Sequence, residues 1–292
     1  MSNLRLFAAC VAIWGTTWLA ITFQLGHVSA EASVAWRFLL ASALLFAYCA
    51  ARGLLLRQTA REHAWLALQG ALLFGVSYVA VYYAETFLVS GVVAVGYSAS
   101  PLLGMLGMRA FFATPMTRTL ALGSVLGLAG ISLVYWPEVA QLHGDRRTVI
   151  GAAWTAVAVL VSTLGSLVAH RNQRAGIPLW QSMAWGMLYG ALASLAMAVV
   201  GGTGLAFDSS WQYLASLAYL AVLGSIVAFA AYLTLLHRVG AGRSGYIGVM
   251  VPIVALVVSS VFEGFRWHAL TFAGIAVSVA GNVLVLRGKQ AA

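Results

Sequence analysis

The chain has 292 residues, 62% of them hydrophobic and only 8% charged, with a mean hydropathy of +0.93. A water-soluble domain of this length carries about a quarter charged residues. Composition therefore excludes an ordinary soluble enzyme or binding module and places most of the chain in lipid or against other spans.

The net charge of +9 does not signal nucleic acid, because Lys and Arg fall one to three at a time between apolar runs, as topology signals do. Those runs predict an all-α integral membrane protein of ten transmembrane helices, at 4–25, 33–51, 64–86, 91–112, 118–136, 149–169, 178–200, 211–236, 245–263 and 269–286. The first run lacks a clear cleavage site and is expected to be a retained span, not a signal peptide. Cys10 and Cys49 lie within runs and read as buried thiols. With a cytoplasmic N-terminus, twelve Lys and Arg fall in inner segments and only Arg146, Arg147 and Arg266 in outer loops. This bias predicts that both termini are cytoplasmic.

In chain order, span 1 presents Trp14, Thr17 and Trp18 on one helical face. Arg37 sits about four residues inside the outer end of span 2, and Glu85 near the outer end of span 3. Burying either is costly, so both are candidate outer-vestibule charges, paired with each other or meeting the charged backbone of an amino acid. A structural ion pair or snorkelling is the plainer alternative. Span 3 also carries Tyr78 and Tyr82 four apart. With Trp14 and Trp18, these rings can bind an apolar cargo by their faces and orient it by a polar tip, or simply pack between helices. Span 4 adds Tyr97 and Ser98 before Pro101, and span 9 adds Ser244 and Tyr246 before Pro252. The two prolines predict kinks that gate or are merely packed around. Ser162 in span 6 is a weaker cavity candidate, since a lone Ser more often bonds its own helix backbone. Spans 5 and 10 carry Gly123, Gly127 and Gly130, and Gly274, Ser278 and Gly281. Such small-residue faces suit a scaffold or dimer contact.

One stretch occurs twice. Residues 91–135 align without gaps to 242–286 at an offset of 151, matching Gly91 to Gly242, Pro101 to Pro252, Phe111 to Phe262, Gly123 to Gly274 and Gly130 to Gly281. Matched Pro and Gly constrain backbone rather than hydropathy. Two five-span repeats, 1–138 and 149–288, follow. An odd number of spans per repeat inverts the second in the membrane, the arrangement that supports alternating access.

Ten spans in a five-plus-five repeat, Trp14-Gly15-Thr16, Trp36-Arg37-Phe38, Pro101 ten residues after Gly91, and a fifth span ending Gly-Ile-Ser-Leu-Val resemble the EamA family of the drug/metabolite transporter superfamily. Within it the chain looks closest to the YddG-type aromatic amino-acid exporters of bacterial inner membranes. One departure is that Glu263, ending span 9, has no counterpart in the first half. The resemblance implies a carrier exporting small apolar or zwitterionic metabolites, foremost aromatic and other neutral amino acids. Drug or organic-cation efflux is the alternative, and a membrane-embedded enzyme or scaffold a more distant one. No Walker loop, zinc-type spacing or catalytic triad is visible, so no enzyme activity, cofactor or metal is expected. The expected partners are a small-molecule substrate and membrane lipid, without nucleic acid, in a monomer or weak homodimer.

Overall fold

A computed structural model describes residues 2–26, 28–113, 118–141, 146–232, 234–235, 238 and 246–287. The helices are α1 (Asn3–Thr22), α2 (Ala30–Ala51), α3 (Ala60–Glu85), α4 (Ser90–Phe112), α5 (Arg118–Gln141), α6 (Arg146–Arg174), α7 (Leu179–Val200), α8 (Trp211–Tyr232), α9 (Tyr246–Phe262) and α10 (Ala269–Arg287). No strand occurs among the described residues. That outcome is forced by the solvent, because lipid leaves backbone N–H and C=O groups nothing to bond but their own segment. The chain is a multi-pass membrane protein.

Among the described residues, seven helices are long and apolar enough to cross a membrane: α1 to α4 and α6 to α8. The apolar parts of α5, α9 and α10 are shorter, at Ala121–Val134, Met250–Phe262 and Ala269–Gly281. Of the ten predicted spans, seven correspond to helices of full membrane-spanning length and three to shorter apolar ones. α2, α3 and α6 begin three or four residues before their apolar runs, because hydropathy does not register caps. Ser2, Ser29 and Ser210 accept from the backbone of α1, α2 and α8, and Thr59 with Glu62 forms a capping box on α3.

Two helices depart from α geometry at buried points. α3 is π-helical over Ala71–Val76 and α8 over Tyr219–Val227. α4 is interrupted by a single 3₁₀ turn, Tyr97–Ala99, and resumes with Pro101 in its first turn. Proline has no N–H, so Pro101 cannot bond the carbonyl four residues back, at Tyr97. Pro252 lies inside a continuous α9. The first of the two matched prolines thus coincides with a break in the α-helix, and the second does not.

Helix contacts follow a regular scheme. α2 packs on α7, α4 on α9 and α5 on α10. α1 meets α9 as α6 meets α4; α3 meets α6 and α7 as α8 meets α1 and α2. Each of these contacts has its counterpart when the first five helices are exchanged in order with the last five. Hydrogen bonds fix the two ends of the bundle. At the far end, Trp36 Nε1 donates to the Ala206 carbonyl at 3.1 Å and Arg147 to that of Thr86 at 3.2 Å. At the near end, Trp185 Nε1 donates to the Leu56 carbonyl at 3.0 Å.

The near end also holds a saturated polar knot. Asn172 Nδ2 and Ser182 Oγ both donate to Gln69 Oε1, at 2.9 and 3.1 Å, and Arg171 donates to Asn172 Oδ1 at 3.0 Å. At the far end Glu263 accepts from the Ser90 backbone N–H at 3.1 Å and from the hydroxyls of Ser90 and Ser259. Ser259 in turn accepts from the Gly91 N–H at 2.8 Å. The first turn of α4 is thus capped by α9, across the sequence halves.

α5 and α10 approach backbone to backbone. A Cβ at Gly274 would lie 2.6 Å from the Gly130 carbonyl oxygen and 2.8 Å from the Val134 nitrogen, whereas one at Gly127 would meet nothing within 4 Å. Overpacking a rigid contact costs about 1–3 kcal/mol. Gly274→Ala is expected to lower thermal stability in detergent by that much, and Gly127→Ala to leave it unchanged or slightly raised. Equal melting temperatures for the two variants would show that the seam is not tightly packed.

Candidate functional site

The interior is lined by aromatic rings from several helices. Tyr78 (α3) meets Phe38 (α2) at 4.9 Å between centroids, Phe38 meets Phe74 (α3) at 5.3 Å, and Phe74 meets Phe229 (α8) at 5.9 Å. Phe229 meets Trp14 (α1) at 5.3 Å, and Trp14 meets Tyr232 (α8) at 5.5 Å. Trp18 and Tyr97 form a further edge-to-face pair at 5.2 Å and pack against the same buried core as Tyr78. Tyr97 lies beside Tyr78 and Ser162. Trp14, Trp18, Tyr78, Tyr97, Ser162 and Phe229 each keep part of their surface accessible. Such rings bind apolar groups by face and edge, and their polar tips orient what is bound.

The π segment of α8 organises the polar part. In a π turn the hydrogen-bond ladder is shifted by one residue, which frees carbonyls for outside donors. Trp14 Nε1 donates to the Gly224 carbonyl at 3.1 Å, Thr16 Oγ1 bonds the Tyr219 hydroxyl at 2.6 Å, and Ser225 Oγ donates five residues back to Leu220 O at 2.9 Å. Gly224 is needed here, because a Cβ would sit 2.8 Å from Thr17 Cγ2 and 3.4 Å from Arg37 Nη2. The π segment of α3 packs likewise on α6 and α7. A Cβ on Gly165 would meet the Leu73 nitrogen at 2.7 Å, and one on Gly75 the Gly190 carbonyl at 3.0 Å.

Arg37 lies against the α8 π segment with 1% of its surface exposed. Its Nε donates to Ser225 Oγ at 3.2 Å, and its guanidinium lies 4.6 Å from the Tyr78 ring centroid, a cation–π contact strengthened by desolvation. Glu85 is 7% exposed. Neither residue stands in an open vestibule, and no ion pair joins them among the described residues: Arg37 Nη1 and both Glu85 oxygens have no hydrogen-bond partner. Their burial was hidden in the sequence because span ends were counted from hydropathy, which does not register the helix of the other half that packs against Arg37.

The remaining sequence-derived candidates separate. Tyr82 is fully buried and donates to Gln24 Oε1 at 2.7 Å, behind the accessible rings rather than among them. Thr17 is buried and bonds its own helix at the Trp14 carbonyl. Ser98 and Pro252 line a cavity of about 10 Å³ with Val95, Ile253, Ile275 and Ser278, room for roughly one water molecule. α10, expected to be scaffold only, thus contributes to this cavity. Ser244 lies outside the described residues, as do the side chains of Tyr246 and Pro101. Sequence reasoning missed Gln24, Ser225 and Phe229. It also missed Glu31, which accepts from the Tyr83 hydroxyl at 2.5 Å while that ring stacks on Trp154 at 4.9 Å. An acid in the first turn of a span was the available signal for Glu31; Ser225 and Phe229 carry none, because a π turn has no sequence signature here.

Removing the partner of a buried charge costs about 1.5–3 kcal/mol. Ser225→Ala is expected to destabilise the protein by that amount in detergent unfolding. Ser194→Ala, whose hydroxyl merely bonds its own helix at Gly190 O, should have less than half that effect. Equal losses would show that Ser225 does not hold Arg37.

Comparison with known proteins gives the chain its place. The model of the EamA-like transporter family matches residues 3–136 and again 149–287. The inner membrane transporter YedA of Escherichia coli (strain K12), itself uncharacterized, is 29% identical over 98% of this chain and 92% of its own length. An uncharacterized transporter of Archaeoglobus fulgidus is 22% identical over 99% of this chain and all of its own. A protein of known crystal structure superposes with a TM-score of 0.70, at 18% identity, over 97% of this chain and 96% of that one; this likeness concerns the fold. The chain belongs to the EamA-like transporter family.

Proposed function

We propose that this member of the EamA-like transporter family is a secondary carrier that exports aromatic and other neutral amino acids across a bacterial inner membrane. Residues 1–138 and 149–288 act as two inverted repeats that alternate access to a site between them. The single observation carrying this reading is a ring set drawn from both halves of the sequence, in which α1, α3, α4 and α8 contribute part-accessible rings and the buried Phe38 of α2 backs them. The Lys and Arg bias supports a cytoplasmic near end and cytoplasmic termini. The far-end cap of Glu263 on α4 then closes the periplasmic side, and outward opening separates α9 from Ser90.

A second reading has one observation in its favour. Glu85 is a buried carboxylate without a hydrogen-bond partner, which is what an organic-cation efflux carrier would present to its cargo. The buried Arg37 guanidinium nearby counts against it, since like charge repels a cation.

Uptake by the purified protein in sealed liposomes separates the two. Labelled Trp, Phe, Thr and a quaternary ammonium ion would be offered to wild type, Tyr78→Ala and Tyr97→Ala. Saturable aromatic uptake, reduced about tenfold or more in both variants by loss of base-like stacking area, is the expected result. Uptake of the ammonium ion alone would transfer the protein to the efflux reading.

A further inference from the structure

Beside the ring set lies a cluster of buried groups that the fold leaves unmatched. Gln24 is fully buried, and Arg37 and Glu85 nearly so. Gln24 Nε2 and Arg37 Nη1 are donors without acceptors, while Glu85 Oε1 and Oε2 are acceptors without donors. Tyr82 ties them into one place. Its hydroxyl donates to Gln24 Oε1, and the Arg37 guanidinium and the Glu85 carboxylate both act on it electrostatically. The charges bearing on Glu85 are those of Glu263 and Arg37, and Glu85 in turn bears on Tyr97. Arg37 faces Tyr78. Two part-accessible tyrosines of the ring set are therefore the neighbours of the two unmatched charges.

Buried polar groups are normally hydrogen-bonded, and buried charges paired. The near-end knot of Gln69, Asn172 and Ser182 obeys that rule; single orphaned atoms also occur at Gln181 Oε1 and Ser100 Oγ, but among the described residues only this cluster sets orphaned donors beside an orphaned carboxylate. Two unmatched donors beside one unmatched carboxylate are the complement of a specific chemistry, namely a carboxylate and an ammonium carried close together. We infer that Gln24, Arg37 and Glu85 form the head-group subsite for a zwitterionic α-amino acid. Arg37 Nη1 and Gln24 Nε2 donate to the substrate carboxylate, Glu85 accepts from the α-ammonium, and the side chain lies on Tyr78 and Tyr97. The Ser225 bond and the Tyr78 ring hold the guanidinium in register, leaving Nη1 as an unpartnered donor for the ligand. This assignment rests on the amino-acid carrier reading and specifies how that site reads its substrate.

The test uses the full-length protein in liposomes and three probes sharing one ring system: tryptophan, tryptamine, which lacks the carboxylate, and 3-indolepropionate, which lacks the ammonium. Wild type is expected to prefer tryptophan over each analogue by about tenfold to a hundredfold, the range for a lost hydrogen bond to a charged group. In Glu85→Gln the preference over 3-indolepropionate should fall to within about threefold while that over tryptamine persists; in Arg37→Gln the pattern should reverse. If a glutamine variant fails to fold, Glu85→Asp and Arg37→Lys keep the charges and should shift the same two ratios in the same directions by smaller factors. Wild type carrying all three probes equally would overturn the subsite and leave the aromatic carrier standing. Wild type carrying no tryptophan would remove the carrier reading, and the subsite with it. Unchanged ratios in both Glu85 and Arg37 variants would make the cluster structural.

Discussion

The centre of the molecule depends on keeping one guanidinium inside a bundle that offers it no water. An isolated charge in such a place is very unfavourable, and Arg37 is tolerated because three helices converge on it. α2 supplies the residue, α3 the Tyr78 face, and α8 the Ser225 hydroxyl. α8 comes close enough only because Gly224 has no side chain, and the same glycine admits Thr17 of α1. The freed Gly224 carbonyl then takes the Trp14 N–H. Removing any one of these contacts loosens the others, so the four helices around the ring set are held as a unit by a polar requirement and not by hydrophobic burial alone.

Two kinds of contact divide the rest of the bundle. α5 and α10 touch through backbone at Gly130, Gly274 and Gly281, leaving no side chain able to change rotamer and absorb a shift. Around the ring set, by contrast, helices meet through edge-to-face aromatics at 4.9 to 5.9 Å, a geometry with many near-equivalent arrangements. A stiff seam on one side and an adaptable interior on the other is the mechanical division that rocking about a site requires. The far-end bonds of Glu263 to Ser90 and Ser259 are few, local and charge-assisted, so they can be broken together.

Much of the architecture was legible in hydropathy. The predicted spans and the helices agree to within about five residues at every end, because lipid imposes both helix and length. The repeat was visible in Pro and Gly, yet Pro101 follows closely on a 3₁₀ turn whereas Pro252 lies inside a continuous helix. Of the site, the rings Trp14, Trp18, Tyr78 and Tyr97 were identifiable as aromatics within spans. The separation of Tyr78 from Tyr82 was not: helical spacing of four puts both on one side, but only packing decides which one is covered. Glu85 was read as lying near the outer end of span 3, one residue short of it, yet its side chain is only 7% exposed, because hydropathy marks where a span ends and not what packs against it. Ser225 drew no attention, because a serine in an apolar helix has no distinguishing signal until an arginine from another helix arrives.

The π segments in α3 and α8 have a geometric consequence. A π turn is an α-helix carrying one residue more than its turn needs, and every residue after it is displaced around the axis by about 100° relative to an unbroken helix. In α3 the displaced residues are Ser77 to Glu85, which include Tyr78, Tyr82 and Glu85. The extra residue at Ala71–Val76 therefore acts as an angular setting. It sets Tyr78 against Phe38 of α2 and Tyr83 against Trp154 of α6, while the α3 residues before it keep their own alignment with α6 and α7. A single-residue deletion there would preserve composition, hydropathy and span length, yet present a different wall to the interior. A relative lacking that residue would share this fold and read a different cargo.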